Sequence, residues 1–315
     1  MTQQARPKPS IPLTADAFAD HQETAVYWLA SSTILLNSYG TNILMDPTLM
    51  FLHDDDQESM VSEVLDDDQI DYMKFLVRPP IFASELPRLD AVLLTHADVD
   101  HMGPRSIEAL AAKGNIFHGT PYVGRILREQ GVAEEQIVTH GIGERFQIND
   151  ITVETTEADH PWQKFFPEVY DYVYKPEDCC GFKFYCRDCV IWNPGDSLLL
   201  NSHFHHQDAD LIFMDYSEDP TACHFGQKDA VLLSNYYSDQ DIIMYHWGFY
   251  DAPTVGWCSA DPEVIRPQIV RPQRFRVLTR GKIRRLLAAE NKVLPERRHT
   301  AYLINQLDAA GCSVK

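Results

Sequence analysis

The chain has 315 residues, of which 44% are hydrophobic and 23% charged, a length and balance suited to a full globular core. Its 27 Lys and Arg against 46 Asp and Glu leave a formal net charge of -19. That surface repels phosphate backbones and anionic lipid, which argues against nucleic-acid and membrane partners.

The N-terminus, MTQQARPKPSIPL, has no signal-peptide pattern. No apolar run approaches the ~20 residues that span a bilayer. Seven cysteines in no regular framework read as reduced thiols, so the expected compartment is the cytoplasm.

In chain order, residues 1–20 read as a flexible arm. Strands follow at 25–30, 33–36 and 42–45, the last ending on Asp46-Pro47. Residues 51–79 crowd Asp54, Asp55, Asp56, Glu58, Glu63, Asp66, Asp67, Asp68 and Asp71 into one stretch, read as a solvated acidic loop, with a cation site as the other reading. The apolar run 89–94 predicts a buried strand that delivers Thr-His-Ala-Asp-Val-Asp-His at 95–101. Pro104 and Gly114 bracket a helix at 105–112, and a second helix runs from Pro121 to Gly131. Short strands are expected at 115–118, 136–140, 145–148 and 151–158, the last ending on Asp159-His160-Pro161.

The stretch 161–178, rich in Trp162, Phe165, Tyr172 and Tyr174, has neither helical nor alternating period. Its place beside His160 suggests a lid over a pocket. A hairpin at 181–192 ends on Asn193-Pro194-Gly195-Asp196-Ser197. Cys179, Cys180, Cys186 and Cys189 flank it, and alternation along a hairpin sends thiols to opposite faces, so they read as buried thiols rather than a zinc knuckle. A strand at 210–215, a helix at 227–237 and a strand at 241–245 lead to His246-Trp247-Gly248. The segment 261–315 turns basic and is read as a helical extension packed on the domain 21–260, with helices near 281–290 and 296–309. It is also a candidate homo-oligomer contact. Strands, strand-helix alternation, then strands again imply an α/β (α+β) sandwich of two mixed sheets flanked by helices.

His96, Asp98, Asp100 and His101 follow one expected strand, His160 a second, Asp196 a third and His246 a fourth. Loops at such strand ends converge on common sites. Imidazole with carboxylate suits borderline and hard divalent metals. Two such ions sharing a hydroxide give a nucleophile near neutral pH, and Asp196 on its Pro-Gly turn is the natural bridge.

The order His-x-x-x-Asp-His, a lone His, Gly-Asp-Ser and His-x-Gly resembles the metallo-β-lactamase superfamily, and within it the L-ascorbate-6-phosphate lactonase-like branch. The matching stretches include LDAVLLTHADVDHMGP, TTEADHP, IWNPGDS and IIMYHWGFYDAP, across roughly residues 25–255. The resemblance implies an αββα sandwich with two divalent cations, zinc or manganese, with iron as a further candidate. His96 and His160 would hold the first, Asp100, His101 and His246 the second, and Asp196 both. Asp46 would orient a ligand histidine, or be a plain turn residue. The usual pattern is His-x-His-x-Asp-His, so Asp98 replaces a histidine; either it is an oxygen ligand that hardens the first site toward Mn or Fe, or it turns away and the first metal is weak or absent.

The implied activity is metal-dependent hydrolysis of a small ester, lactone or phosphoester by a metal-bridging hydroxide. Asp100 and His224 are the proton-transfer candidates. Trp162, Phe165, Tyr216, Trp247 and Tyr250 are the candidate substrate contacts. Asp98 keeps a second activity in view, a di-iron oxygen-activating oxidoreductase; a non-catalytic metal-binding regulator is the third.

Overall fold

The computed structural model describes residues 5–53, 60, 62–63, 75–165, 167–168, 171–218, 223–248 and 259–286. Its layering follows from alternation along the first strand, β1 (Thr24–Ala30), which is buried at every position. Successive side chains point to opposite faces. Val26 and Trp28 therefore enter one core and Ala25, Tyr27 and Leu29 another.

The first sheet continues with β2 (Thr33–Ser38), β3 (Thr41–Met45), β4 (Ala91–Leu93), β5 (Phe117–Gly119) and β6 (Ile137–Thr139). The second contains β7 (Arg145–Ile148), β8 (Ile151–Glu157), β9 (Cys180–Tyr185), β10 (Val190–Asn193), β11 (Leu211–Asp215), β12 (Asp241–Tyr245) and β13 (Phe275–Val277). A last strand, β14 (Ile283–Leu286), returns to the first sheet, giving the orders β14-β1-β2-β3-β4-β5-β6 and β13-β12-β11-β10-β9-β8-β7. Both sheets are mixed. β3 pairs antiparallel with β2 but parallel with β4, and β10 pairs antiparallel with β9 but parallel with β11.

The inner core joins Val26, Trp28, Ile43 and Leu93 of the first sheet to Val153, Phe182, Phe184 and Phe213 of the second. Each such buried side chain contributes roughly 1.5–3 kcal/mol. Helices α1 (Pro104–Ala111) and α2 (Pro121–Glu129) cover the other face of the first sheet through Ile107, Leu110, Val123 and Leu127. Helices α3 (Gly226–Tyr236) and α4 (Pro262–Ile265) pack with the second through Ala230, Leu233 and Ile265. The expected two-sheet sandwich is the fold observed. No described helix is long and apolar enough to cross a membrane.

The C-terminal segment departs from expectation. Within the helix expected near 281–290, residues 283–286 instead pair antiparallel with β1, Leu286 opposite Thr24 and Ile283 opposite Tyr27, and 287–290 lie outside the described residues. Apolar residues three apart suit a helix, but the open edge of β1 offers a ladder, and sheet pairing overrides local preference. With β13 in the other sheet, residues 261–286 complete both sheets rather than forming an appended helical layer. The second expected helix, 296–309, lies outside the described residues. The described part of the arm is tied down: Ile11 N donates to Arg280 O (2.9 Å) and Leu13 N to Pro80 O (3.1 Å).

Of the acidic stretch, the described Glu63 is buried rather than solvated. Its carboxylate accepts from Ser106 N at 2.8 Å in the first turn of α1 and from Met50 N at 3.2 Å. The other acids of 54–71 lie outside the described residues. Cys179, Cys180 and Cys189 are buried thiols, and among the described residues no cysteine joins a potential metal-ligand group.

Candidate metal centre

The loop between β4 and α1 presents four side chains from one turn. His101 N and Met102 N both donate to Asp98 O, at 2.9 and 2.8 Å. Thr48 Oγ1 (2.7 Å) and Ser32 Oγ (3.1 Å) donate to Asp100 O, fixing the loop against the first sheet. Opposite, the turn after β10 delivers Asp196. Asn193 Oδ1 accepts from Gly195 N at 2.8 Å, and Gly195 sits at φ +68. A Cβ there would lie 2.7 Å from Cys180 O, so the approach requires glycine. His160 follows β8 and His246 follows β12.

Two positions at the centre hold left-handed backbone without being glycine, Asp46 at φ +45 and His246 at φ +58. Such conformations cost energy and cluster at functional sites. His246 is held in place by its N on Ser31 O (3.0 Å) and by Ser217 Oγ on its carbonyl (2.9 Å).

The partners of the four imidazoles assign their tautomers. His101 Nδ1 lies 3.0 Å from Asp46 Oδ2. Thr95 Oγ1 donates to Asp46 Oδ2 (2.8 Å) and so accepts from His96 Nδ1 at 3.0 Å. His160 Nδ1 lies 3.1 Å from Cys223 O, and His246 Nδ1 3.4 Å from Asp215 Oδ2. His96, His101 and His160 are thus tied outward through Nδ1, His246 faces Asp215 there at ion-pair distance, and all four turn Nε2 inward, the orientation of a metal-ligating histidine.

The inward atoms form two sets. Asp98 Oδ2 lies 3.2 Å from both His96 Nε2 and His160 Nε2. In the other, His101 Nε2 is 3.2 Å from His246 Nε2, and Asp100 Oδ2 is 3.5 Å from His246 Nε2 and 4.0 Å from His101 Nε2. Asp196 Oδ2 stands between them, 2.9 Å from His101 Nε2, 3.6 Å from His246 Nε2 and 4.0 Å from His96 Nε2. Donors bound about 2.0–2.1 Å from one tetrahedral ion lie about 3.3–3.4 Å apart. The 3.2 Å contacts of Asp98 and the 3.2 and 3.5 Å contacts of His246 lie near that spacing, and the 4.0 Å contact of Asp100 with His101 is longer.

The electrostatics fit cations as well. Burial works against charge on Asp196, yet His101, His246 and His224 outweigh it and hold the carboxyl well below its usual range. Asp98 is likewise held low, burial being overcome by His96 and His160. Burial also opposes charge on His101, but Asp196, Asp46 and Asp100 push its pKa well above the ordinary value. Asp196 Oδ1 and His96 Nε2 are buried and make no hydrogen bond. Five carboxylates meet around these rings, a charge that buried sites hold only when it is paired or coordinated.

The structure brings His96, Asp98, Asp100, His101, His160, Asp196 and His246 together, with Asp46 behind His101. His224 also joins them, its Nδ1 3.2 Å from Asp215 Oδ2 and 3.7 Å from Asp196 Oδ2. Asp100 and His224 are the most exposed of these side chains, at 24% and 17%, and mark the mouth. Trp162 turns its indole N–H onto Asp98 Oδ2 at 2.6 Å, and Phe165 is exposed. Two expected substrate contacts are misplaced. Tyr216 is wholly buried, its hydroxyl 2.6 Å from Ser234 Oγ and its ring edge-on to Phe275. Trp247 is buried and stacked on Trp28 at 5.9 Å. Both follow strand ends but turn into the core. Tyr250 lies outside the described residues.

Sequence reasoning missed Asp215 and the contacts of Thr95 with Asp46 and of Tyr174 with Asp98. Thr95 links Asp46 to His96, and Asp215 stands between His246 and His224. A signal for Asp215 was present: Ile43-Leu44-Met45-Asp46 and Ile212-Phe213-Met214-Asp215 share one pattern.

Comparison with known proteins agrees with this architecture. A relative from Mycobacterium tuberculosis, an uncharacterized protein, is 29% identical over 159 residues, 50% of this chain and 40% of that protein. The chain thus spans about 40% of the length of such curated relatives. An isothiocyanate hydrolase from Delia radicum gut bacteria superposes with a TM-score of 0.64 at 17% identity, over 82% of this chain and 98% of that one. CmlA, a diiron beta-hydroxylase from Streptomyces venezuelae, gives 0.56 at 14% identity, over 84% and 54%. The model of the beta-lactamase superfamily domain matches residues 41–247, and the chain belongs to that superfamily, with its metallo-β-lactamase sandwich fold.

Proposed function

We propose that the chain is a metal-dependent hydrolase acting on a small ester, lactone or phosphoester, with two divalent cations at this centre. One observation carries the reading: four imidazoles whose Nδ1 atoms face outward aim Nε2 at three carboxylates, with Asp196 Oδ2 between the two sets. His96, Asp98 and His160 would hold the first cation, Asp100, His101 and His246 the second, and Asp196 both. The motifs that resemble the lactonase-like branch favour a lactone or phosphoester within that class.

Bound there, divalent cations supply Lewis acidity and lower the pKa of water into the neutral range. The protein's own groups do the rest. Asp100, at the mouth, would take a proton on the carboxylate oxygen that faces away from the second set. Asp215 Oδ2 faces His224 Nδ1 at 3.2 Å, and His224 Nε2 would carry a proton to a departing oxygen. Trp162, on Asp98, and the exposed Phe165 would wall the approach.

The inward oxygen of Asp98 favours a second reading, an oxygen-activating di-iron oxidoreductase, because it makes the first set oxygen-rich. Elemental analysis of protein expressed with Zn, Mn and Fe all supplied, with its absorbance spectrum, separates the two. About two Zn or Mn per chain, no visible band, and turnover in a panel of lactones, esters and phosphodiesters that Asp196→Ala abolishes are expected. Two Fe with a visible charge-transfer band and oxygen consumption would replace the hydrolase by the oxidoreductase. A fully metallated protein without turnover of either kind would refute both.

A further inference from the structure

Asp98 is gripped from outside the ligand sets. Trp162 Nε1 donates to Oδ2 at 2.6 Å and Tyr174 Oη to Oδ1 at 2.7 Å. One neutral donor thus sits on each carboxylate oxygen. Oδ2 is also the oxygen 3.2 Å from His96 Nε2 and from His160 Nε2, so it faces inward while Tyr174 holds Oδ1 away.

We propose that Trp162 and Tyr174 are positioning residues that hold Asp98 as a one-oxygen ligand of the first cation and so set the affinity of that site. The inference rests on the reading of Asp98, His96 and His160 as a ligand set. A carboxylate torsion is a broad two-fold rotor. Without its two donors, Asp98 is able to chelate through both oxygens or swing out of the set. Donors behind a ligand fix its orientation and tune its strength, and their loss typically lowers metal affinity 10- to 100-fold.

The two donors are themselves well placed. Trp162 lies two residues after His160, so one loop supplies a ligand and the support of its neighbour. Tyr174 is 9% exposed. Its N donates to Gln163 Oε1 at 3.1 Å, and its ring meets Tyr122 edge-on at 5.2 Å and His96 at 6.2 Å. Tyr172 stacks on Tyr122 at 5.0 Å, and its hydroxyl donates to Asp178 Oδ2 at 2.7 Å. The aromatic stretch is therefore docked on α2 at one side and on Asp98 at the other. Phenol and indole donors fix Asp98 without adding formal charge to the first set.

The test compares wild type with Tyr174→Phe, Trp162→Phe and Asp98→Asn, each titrated with Zn(II) against a chelator and with Co(II) followed by its visible spectrum. In Tyr174→Phe and Trp162→Phe, affinity for the cation that Asp98→Asn loses should fall about 10- to 100-fold, with a changed Co(II) band and the other cation unaffected. Wild-type affinity and spectrum in both aromatic variants, while Asp98→Asn loses a cation, would overturn the positioning role alone. Unchanged binding in Asp98→Asn would overturn the ligand reading and this inference with it. Equal loss at both sites, with a lower melting temperature of the metal-free protein, would show a merely structural role and overturn it too.

Discussion

Replacing Asp46 by asparagine keeps the shape and removes the charge behind His101. The carboxylate takes three donors: Thr95 N at 2.8 Å, Thr95 Oγ1 at 2.8 Å and His101 Nδ1 at 3.0 Å. An asparagine oxygen on Thr95 N leaves its NH2 facing His101 Nδ1. The ring must then accept at Nδ1 and carry its proton on Nε2, the atom 2.9 Å from Asp196 Oδ2. That proton occupies the direction a cation needs. A hydrogen bond to a charged partner is worth about 1.5–3 kcal/mol. Loss of a carboxylate behind a ligand histidine costs about 10- to 100-fold in metal affinity, or about 1.4–2.7 kcal/mol. The two routes agree. In a Zn(II) competition titration against a chelator, Asp46→Asn should bind the second cation about 10- to 100-fold more weakly and the first with little change. Circular dichroism on the same samples checks that the fold is retained. Unchanged affinity at both sites, or loss of the cation that depends on Asp98, would refute the tautomer argument.

Three further outcomes concern stability. Glu63→Ala removes the acceptor that serves Ser106 N, Ser106 Oγ and Met50 N, and should cost about 1–3 kcal/mol in urea denaturation; a loss below about 0.5 kcal/mol would mean water replaces it readily. His203, buried with Nε2 3.0 Å from Glu157 O and Nδ1 accepting from Leu200 N, has its pKa lowered by burial from 6.5 to about 4. The unfolded chain therefore takes up this proton first. The contribution is complete above pH 6.5 and fades as pH falls toward about 4, by about 3 kcal/mol. His203→Gln should lose stability less steeply over that window, and parallel curves would count against the assignment. Gly195→Ala places a Cβ 2.7 Å from Cys180 O at φ +68, a strain of about 1–3 kcal/mol. Because Asp196 Oδ2 stands between the two sets, the variant should lose melting temperature and metal content together; wild-type values for both would show that the turn yields freely.

Most residues of the proposed centre were legible because they obey a local rule: an apolar run ends and a His or Asp follows. His96, His160, Asp196 and His246 stand out that way, whereas the role of Asp46 came with the family resemblance, beside a plain turn reading. The same rule misled at Tyr216 and Trp247, which follow strand ends but turn inward, since direction beyond a strand is set by packing and not by period. The roles of Thr95 and Tyr174 were missed for the complementary reason. Their roles rest on contacts with Asp46 and Asp98, 49 and 76 positions away, and no local pattern encodes such a pairing. β14 failed similarly: the partner that makes Ile283–Leu286 a strand is β1, at the other end of the chain.

The two ligand sets are not equivalent, and the difference lies in what stands behind them. His101 and His246 are backed by carboxylates, Asp46 and Asp215. His96 and His160 are backed by neutral oxygens, those of Thr95 and Cys223. A carboxylate behind imidazole raises its basicity as a ligand, whereas a neutral acceptor does so weakly. The first set has instead a carboxylate within it, Asp98, where the second has the more exposed Asp100. Asp98 is already engaged by two donors, Trp162 and Tyr174, and each draws electron density from it. The second set therefore combines more basic imidazoles with the shorter contact to Asp196, 2.9 Å from His101 against 4.0 Å from His96. It should fill first. Titration of metal-free protein with Zn(II) is expected to show two affinities, the tighter one abolished by His246→Ala and the weaker one by Asp98→Ala. A single affinity for both cations, or the opposite assignment, would mean that the groups behind the imidazoles do not govern how this centre loads.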